Sequence, residues 1–218
     1  MGLTRWLGAL SIASAAAAFL IASAPAGAQP VQRGTEYVLA LSWSPNYCRG
    51  PKGHRSPMQC NRDADRRFIV HGLWPNVSGR PVNDCPDRFG GPRRGTVEAM
   101  LPIMPDRGLV RHQWRKHGTC SGLSPSDYFA TVHAARDKVT VPPGLATLNK
   151  PIAVTPKVLR RAFQAANPEI PDNGISVRCR DNRLVEVRIC MSNRLEFQAC
   201  QGRVRRCRAD QLNLRPPL

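Results

Sequence analysis

Two segments of this chain hold the residue types that proton transfer near neutral pH requires. The first is Phe68-Ile69-Val70-His71-Gly72-Leu73-Trp74-Pro75, and the second is His112-Gln113-Trp114-Arg115-Lys116-His117-Gly118-Thr119-Cys120. Imidazole is the side chain whose ordinary pKa lets it both give and take a proton there. Two histidines that exchange those roles can cleave a phosphodiester without a metal. In the first segment His71 stands three residues before Trp74, which would put a proton donor beside a stacking surface for a base. In the second, helical spacing places Gln113 and His117 on one face and His112 and Lys116 on the adjacent one. All four are expected to line one broad surface, where a cation and an amide suit the extra charge of a pentacoordinate phosphorus. The negative end of that helix is expected to favour a protonated His117. Taken alone, a histidine such as His71 is more often a core residue, whereas the dense second segment is less readily the plain polar side of an amphipathic helix.

Elements able to position these groups are legible nearby. Alternation over Glu36–Trp43 predicts a strand, and the apolar-rich stretch Arg67–Trp74 a second. A loop rich in Gly, Pro and Arg joins them, holding Cys48 and Cys60; Gly79–Gly95 is a second long loop, holding Cys85. Short helices are expected over Thr96–Met104 and Gly108–His117, the latter ended by Gly118 as a left-handed cap. Ser124-Pro125-Ser126-Asp127 is a helix start with Ser as N-cap, running to about Val139. Thr155-Pro156 opens another helix, with Val158, Leu159, Ala162, Phe163 and Ala166 as its apolar stripe. Strands return at Ser176–Cys179 and Leu184–Cys190, with Asp181-Asn182 as the hairpin turn. Helices between strand groups imply a single α+β domain on a central antiparallel sheet with flanking helices.

Composition narrows the partner and the compartment. Met1–Ala28 has a basic start at Arg5, an apolar run over Leu7–Ile21 and a small-residue Ala26-Gly27-Ala28 site, the pattern of a removable export signal. The apolar run approaches spanning length, so a membrane anchor is the competing reading; no basic stop-transfer cluster follows it. Export, to the periplasm or the medium, is expected, leaving residues 29–218 as one domain with no membrane span. The formal charge is +17, and removing the leader costs only Arg5, leaving +16. Arg203, Arg205, Arg206 and Arg208 cluster near the end. So large an imbalance points to an acidic partner, nucleic acid or an anionic surface. All 8 cysteines lie beyond the leader, an even count that suits four disulfides in an exported chain. No CxxC, no HExxH and no histidine pair four residues apart occurs, so neither metal nor cofactor is expected.

The two histidine segments closely resemble the paired active-site motifs of the secreted, acid-type ribonucleases of the T2 family. HGLWP matches in full, and the second segment matches HxWxKHGTC. The resemblance covers about Thr35 to Cys207, although the stretch after Gly122 matches only in pattern. The Ala-rich leader has a bacterial character. The resemblance implies that His117 takes the proton from the ribose 2′-hydroxyl, and that His71 protonates the departing 5′-oxygen. Lys116 would stabilise the charge on phosphorus, His112 would hold a phosphate oxygen, Trp74 would stack on a base, and Asn76 would meet a base edge. The reaction implied is transesterification of single-stranded RNA to a 2′,3′-cyclic phosphate, then hydrolysis to a 3′-phosphate; DNA, without the 2′-hydroxyl, cannot react. The pairing implied is Cys48–Cys60, Cys85–Cys120, Cys179–Cys207 and Cys190–Cys200, out of roughly a hundred formal possibilities.

Two residues depart from the family pattern. Gln113 stands where glutamate is usual; it keeps the shape but cannot titrate, so a pH optimum less acidic than the family norm is expected. Asn76 stands where acidic residues also occur, and because an amide both donates and accepts, broad base tolerance is expected. Asn76-Val77-Ser78 also spells a glycosylation sequon, read as coincidence because a glycan there would crowd the base site. The expected protein is therefore a monomeric, metal-independent endoribonuclease. Two alternatives remain: an RNA-binding homologue disabled by Gln113, and a cationic protein acting on anionic surfaces. The last needs a basic amphipathic helix, which only Lys157–Ala166 approaches.

Overall fold

The computed structural model describes Gly2, residues 35–61, 64–202 and 206–218. The expected leader (apart from Gly2), Arg203 and Arg205 lie outside the described residues.

Strand β1 (Thr35–Trp43) is the centre of the sheet. It pairs antiparallel with β2 (Phe68–Val77) on one side and with β6 (Arg183–Ser192) on the other. Alternation sets the two faces of β1: Tyr37, Leu39, Leu41 and Trp43 are fully buried beneath the helices. Val187, Ile189 and Met191 of β6 join the same core. Beyond β2 lies only the two-residue β3 (Arg80–Pro81), so β2 is nearly an edge strand. That position tolerates Pro75, which pairs with Tyr37 and lets the strand run three residues past its expected end at Trp74. Strand β5 (Ile175–Arg180) forms a hairpin with β6, and Asp181 and Asn182 take the positive φ values, 48° and 56°, that such a turn requires. Strands β4 (Ile152–Val154) and β7 (Leu212–Leu214), too short to show as alternation, close the far edge. One pairing corrects the expected all-antiparallel sheet: β7 meets β6 in parallel at Arg183 and Asn213.

The first long loop is partly ordered as α1 (Ser44–Cys48) and α2 (Pro57–Cys60), single turns drawn together by the Cys48–Cys60 disulfide. Helix α3 (Arg94–Met100) starts two residues earlier than expected and stops short of Pro102, which cannot continue it. Helix α4 (Arg107–Lys116) is capped by Asp106, whose side chain accepts from the Leu109 amide at 3.0 Å. Helix α5 (Pro125–Asp137) starts at the Ser124 cap and packs Tyr128, Phe129 and Val132 onto the sheet. A short turn, α6 (Pro143–Ala146), leads towards α7 (Pro156–Ala166), capped by Thr155. Leu159 and Phe163 of α7 are buried, but Val158 is 52% exposed and drops out of the expected stripe. Phe163 meets Phe68 edge to face at 5.4 Å, and Phe68 meets Trp43 at 4.8 Å. Four disulfides staple the domain: Cys48–Cys60, Cys85–Cys120, Cys179–Cys207 and Cys190–Cys200.

Candidate active site

A bulge in β2 creates the site. Val70 pairs with Leu41 and Gly72 with Ala40, so His71 is the extra residue between consecutive rungs. In an unbroken strand His71 and Trp74, three apart, would face opposite sides; the extra residue turns His71 onto the side that Gly72, Trp74 and Asn76 share. That side is opposite the buried core. His71 and Trp74 accordingly meet edge to face, ring centroids 5.3 Å apart.

Helix α4 supplies the other half. Gln113 is 1% exposed, and its Oε1 accepts from Trp74 Nε1 at 2.9 Å. This bond passes over Gly72, where an added Cβ would lie 2.1 Å from Gln113 Oε1 and 2.5 Å from Trp74 Nε1. The glycine of the first segment is therefore required by close approach. His117 is the residue at which the helix leaves its regular conformation (φ −129°, ψ −43°), and its ring lies 5.3 Å from Trp74 at a 33° tilt. Gly118 does not adopt the expected left-handed conformation; it opens a 3-10 turn, Gly118–Cys120. A glycine is needed there because a Cβ would press 2.5 Å from the Trp114 ring and 3.0 Å from Tyr128.

The expected polar surface on α4 is thus divided. Gln113 lies beneath the site, whereas His112 is exposed and Lys116 and His117 are half-buried. Lys116 Nζ pairs with Asp84 Oδ2 at 2.5 Å, and the Asp84 amide donates to the Lys116 carbonyl at 2.9 Å. Asp87, in the same loop, accepts from Trp114 Nε1 at 2.9 Å.

The two histidines have opposite surroundings. His71 Nδ1 lies 3.0 Å from Glu186 Oε2. Burial opposes ionisation of Glu186, but the hydrogen bond with His71 and the Arg188 charge outweigh it and hold this carboxyl below its usual range. Among the described residues no carboxylate hydrogen-bonds His117, and Asp84 only partly offsets the groups that disfavour its charge. Burial first, then the charges of His71, His112 and Lys116, lower its pKa from 6.5 to about 4. Its Nδ1 is buried without a hydrogen-bond partner among the described residues. His117 is thus held neutral, contrary to the protonated ring expected from the helix end; desolvation outweighs the dipole. The pKa of His112 is also lowered, by partial burial and by Arg115, His71 and Lys116. One neutral ring and one ring against a carboxylate form an acid–base pair set by environment.

Asn76 shares the outward side of β2 two residues past Trp74, where it pairs with Glu36 and is 7% exposed. Trp74 is less open than a free stacking platform, because the Arg188 guanidinium lies 4.6 Å from its ring centroid. Asp84, Glu186 and Arg188 were not among the expected site residues. Asp84 carries no spacing signal. Glu186 and Arg188 do, as charges two apart in the otherwise apolar stretch Leu184–Met191. Among the described residues no three His, Cys, Asp or Glu side chains gather as metal ligands, and no helix is long and apolar enough to cross a membrane.

Comparison with known proteins decides what this arrangement belongs to. The profile of the Ribonuclease T2 family matches residues 34–200. The chain belongs to the ribonuclease T2 family. A ribonuclease of Aeromonas hydrophila is 32% identical over 160 residues, 72% of this chain and 71% of that one. A probable ribonuclease of Haemophilus influenzae is 38% identical over 106 residues, 43% of this chain and 39% of its own length. Ribonuclease I of Escherichia coli is 27% identical over 135 residues, 44% of this chain and half of the other. Among solved structures, RNase NT, crystallised with 5′-AMP, superposes with a TM-score of 0.66 at 22% identity, covering 86% of this chain and all of that one. A ribonuclease-related protein of Calystegia sepium gives 0.63 at 19% identity, over 84% and 98% of the two chains. This T2 ribonuclease is an endoribonuclease with RNA as its substrate, on an α+β fold stapled by disulfides.

Proposed function

We propose that this ribonuclease cleaves single-stranded RNA without a metal, by passing protons between His117 and His71. The observation that carries the proposal is the pair of rings flanking Trp74, each 5.3 Å from it, with His117 held neutral and His71 against a carboxylate. His117 takes the proton of the 2′-hydroxyl as its oxygen attacks phosphorus. His71 gives a proton to the 5′-oxygen as the P–O5′ bond breaks, leaving a 2′,3′-cyclic phosphate. Water then opens the ring to a 3′-phosphate with the roles reversed. Lys116 exchanges Asp84 for the phosphoryl charge, and His112 holds a second phosphate oxygen. Asn76 and the uncovered part of the Trp74 ring meet the base, with weak preference among bases. Gln113 supports the site through Trp74, and its amide nitrogen remains to donate to the phosphoryl group. DNA, lacking the 2′-hydroxyl, is not a substrate. The protein acts as an exported monomer, in the periplasm or outside the cell, once residues 1–28 are removed.

Digestion of bulk RNA in EDTA from pH 4 to 8, with oxidised protein beside His117→Ala, tests this reading. Cyclic-phosphate products are expected from the parent and a loss of at least about 100-fold in the variant. RNA bound at low salt but never cleaved would favour the second reading, an RNA-binding homologue, which Gln113 motivates. Gln113→Glu keeps the acceptor for Trp74 and adds a titrating carboxyl. It is expected to change the rate by about 10- to 100-fold, less than loss of a principal oxyanion donor, and to move the pH–rate profile. An unchanged profile would mean that position 113 acts through shape alone.

A further inference from the structure

We propose that Glu186, braced by Arg188, is the positioning residue for the general acid: it fixes the tautomer and ring orientation of His71 so that Nε2 carries the proton given to the leaving 5′-oxygen. The inference rests on reading His71 as that acid.

Sheet geometry brings the three residues together. Adjacent strands lie about 4.8 Å apart, so β2 and β6, with β1 between them, are separated by about 9.6 Å. Arg188 pairs across β1 with Ala40, and Glu186 with Ser42. Those small side chains leave the outward side of β1 low, and the His71 ring and the Glu186 carboxylate meet above it. Glu186 is 4% exposed, and both of its oxygens are engaged. Oε2 faces His71 Nδ1 at 3.0 Å, and Oε1 accepts from Arg188 Nε at 2.7 Å. Arg188 then reaches over Trp74, whose indole contacts both histidines. The chain of contacts therefore closes on itself around the reacting centre.

Stability does not account for this arrangement, since a buried ion pair is commonly matched by apolar residues of similar size. Chemistry does. An ionised carboxylate can only accept, so the contact requires a proton on His71 Nδ1. The proton available to substrate is then the one on Nε2. When the P–O5′ bond breaks, its electron pair stays on the 5′-oxygen. That oxygen takes the Nε2 proton, and the ring becomes neutral with its remaining hydrogen still donated to Glu186. A neutral ring with the opposite tautomer would keep its Nε2 hydrogen in the resting state but would point a lone pair at the carboxylate. Gln113 cannot supply such an anchor, because it is uncharged and its carbonyl oxygen is committed to Trp74.

Two substrates separate positioning of the acid from a purely structural role. Uridylyl-adenosine leaves an alkoxide that needs a proton, whereas uridine 3′-(4-nitrophenyl phosphate) leaves a phenolate that does not. Glu186→Gln is expected to lower kcat on the dinucleotide by about 10- to 100-fold, part of the 100- to 10,000-fold typical of a general acid. KM should be kept, and the aryl ester should lose less than about 3-fold. Equal losses on both substrates, or none on the dinucleotide, would overturn the proposal. His71→Ala serves as the reference. If it lacks the leaving-group pattern, the assignment of the acid itself fails; if it shows the pattern and Glu186→Gln does not, only the present inference fails. A readout on the unaltered protein guards against a misfolded variant. With His71 neutral, long-range proton–nitrogen NMR should find its hydrogen on Nδ1, and a hydrogen on Nε2 would contradict the proposal.

Discussion

Burial first, then the charges of His71, His112 and Lys116, lower the pKa of His117 to about 4. Under the proposed mechanism, in which His117 is the base, this has consequences for both rate and stability. A general base works only when unprotonated, so kcat/KM should fall to half near pH 4 on its acid side, well below the 6.5 of free imidazole. In the folded protein the ring binds its proton at about 4, whereas in the unfolded chain it does so near 6.5. Between those values the unfolded state binds more protons, so acidification across that window destabilises the fold and alkalinisation restores it. The Tm of the parent should therefore drop more between pH 7 and pH 4 than that of His117→Asn, a ring-free variant of similar polarity. Parallel Tm curves for the two proteins would mean that His117 titrates at its ordinary value. The two histidines that flank Trp74 were legible in the sequence by type, as were Lys116 and Trp74 themselves. The neutrality of His117 was not, because it depends on desolvation and on charges brought in from His71 and His112.

At the scale of elements, position depends on departures from regularity. The β2 bulge turns His71 onto the side of Trp74, and the break of α4 at His117 sends the chain into a 3-10 turn. Neither departure is encoded as a period, so an alternation reading ended β2 at Trp74 and a helical reading assigned Gly118 to a left-handed cap. Strong periods and caps did read correctly: β1, the Ser124 and Thr155 starts, and the Asp181-Asn182 turn. Glycines mark the irregular sites, but their reason emerges only from packing. At Gly118 the obstacle is the buried Trp114 and Tyr128 rings, whose Tyr128 hydroxyl also donates to the Leu73 carbonyl at 2.8 Å. These rings sit in a filled core and cannot swing away. Gly118→Ala should then cost about 1–3 kcal/mol in denaturant unfolding, as overpacked cores do. The displaced turn should also lower kcat, because His117 is the preceding residue. An alanine variant as stable and as active as the parent would show that the Trp114 ring yields freely.

At the scale of the whole molecule, the site is assembled from strands and a helix end that no local sequence joins, and one disulfide spans the gap. Cys85–Cys120 links residues 35 apart, tying the loop after β3 to the turn that follows His117. The same loop delivers Asp84 to Lys116 and Asp87 to Trp114. The bridge therefore has two jobs: it restricts the unfolded chain, and it keeps the charged wall of the site against α4. The first job is shared with the other three bridges, each worth about 2–4 kcal/mol by loop-closure arguments. The second is its own. Replacing both cysteines by serine should lower stability by an amount in that range. The core contacts of β1, α5 and α7 do not depend on the bridge, so a native circular dichroism spectrum is expected at 25 °C. Under those conditions kcat on RNA should still fall, because Asp84 and Lys116 are no longer held in register. The Cys179–Cys207 pair gives the control, since it ties β5 to the C-terminal segment and neither carries a residue assigned to the site. Its double serine variant should lose stability without a comparable loss of kcat in the folded state. Equal kcat in the two variants, measured where both are fully folded, would reduce Cys85–Cys120 to a staple like the others.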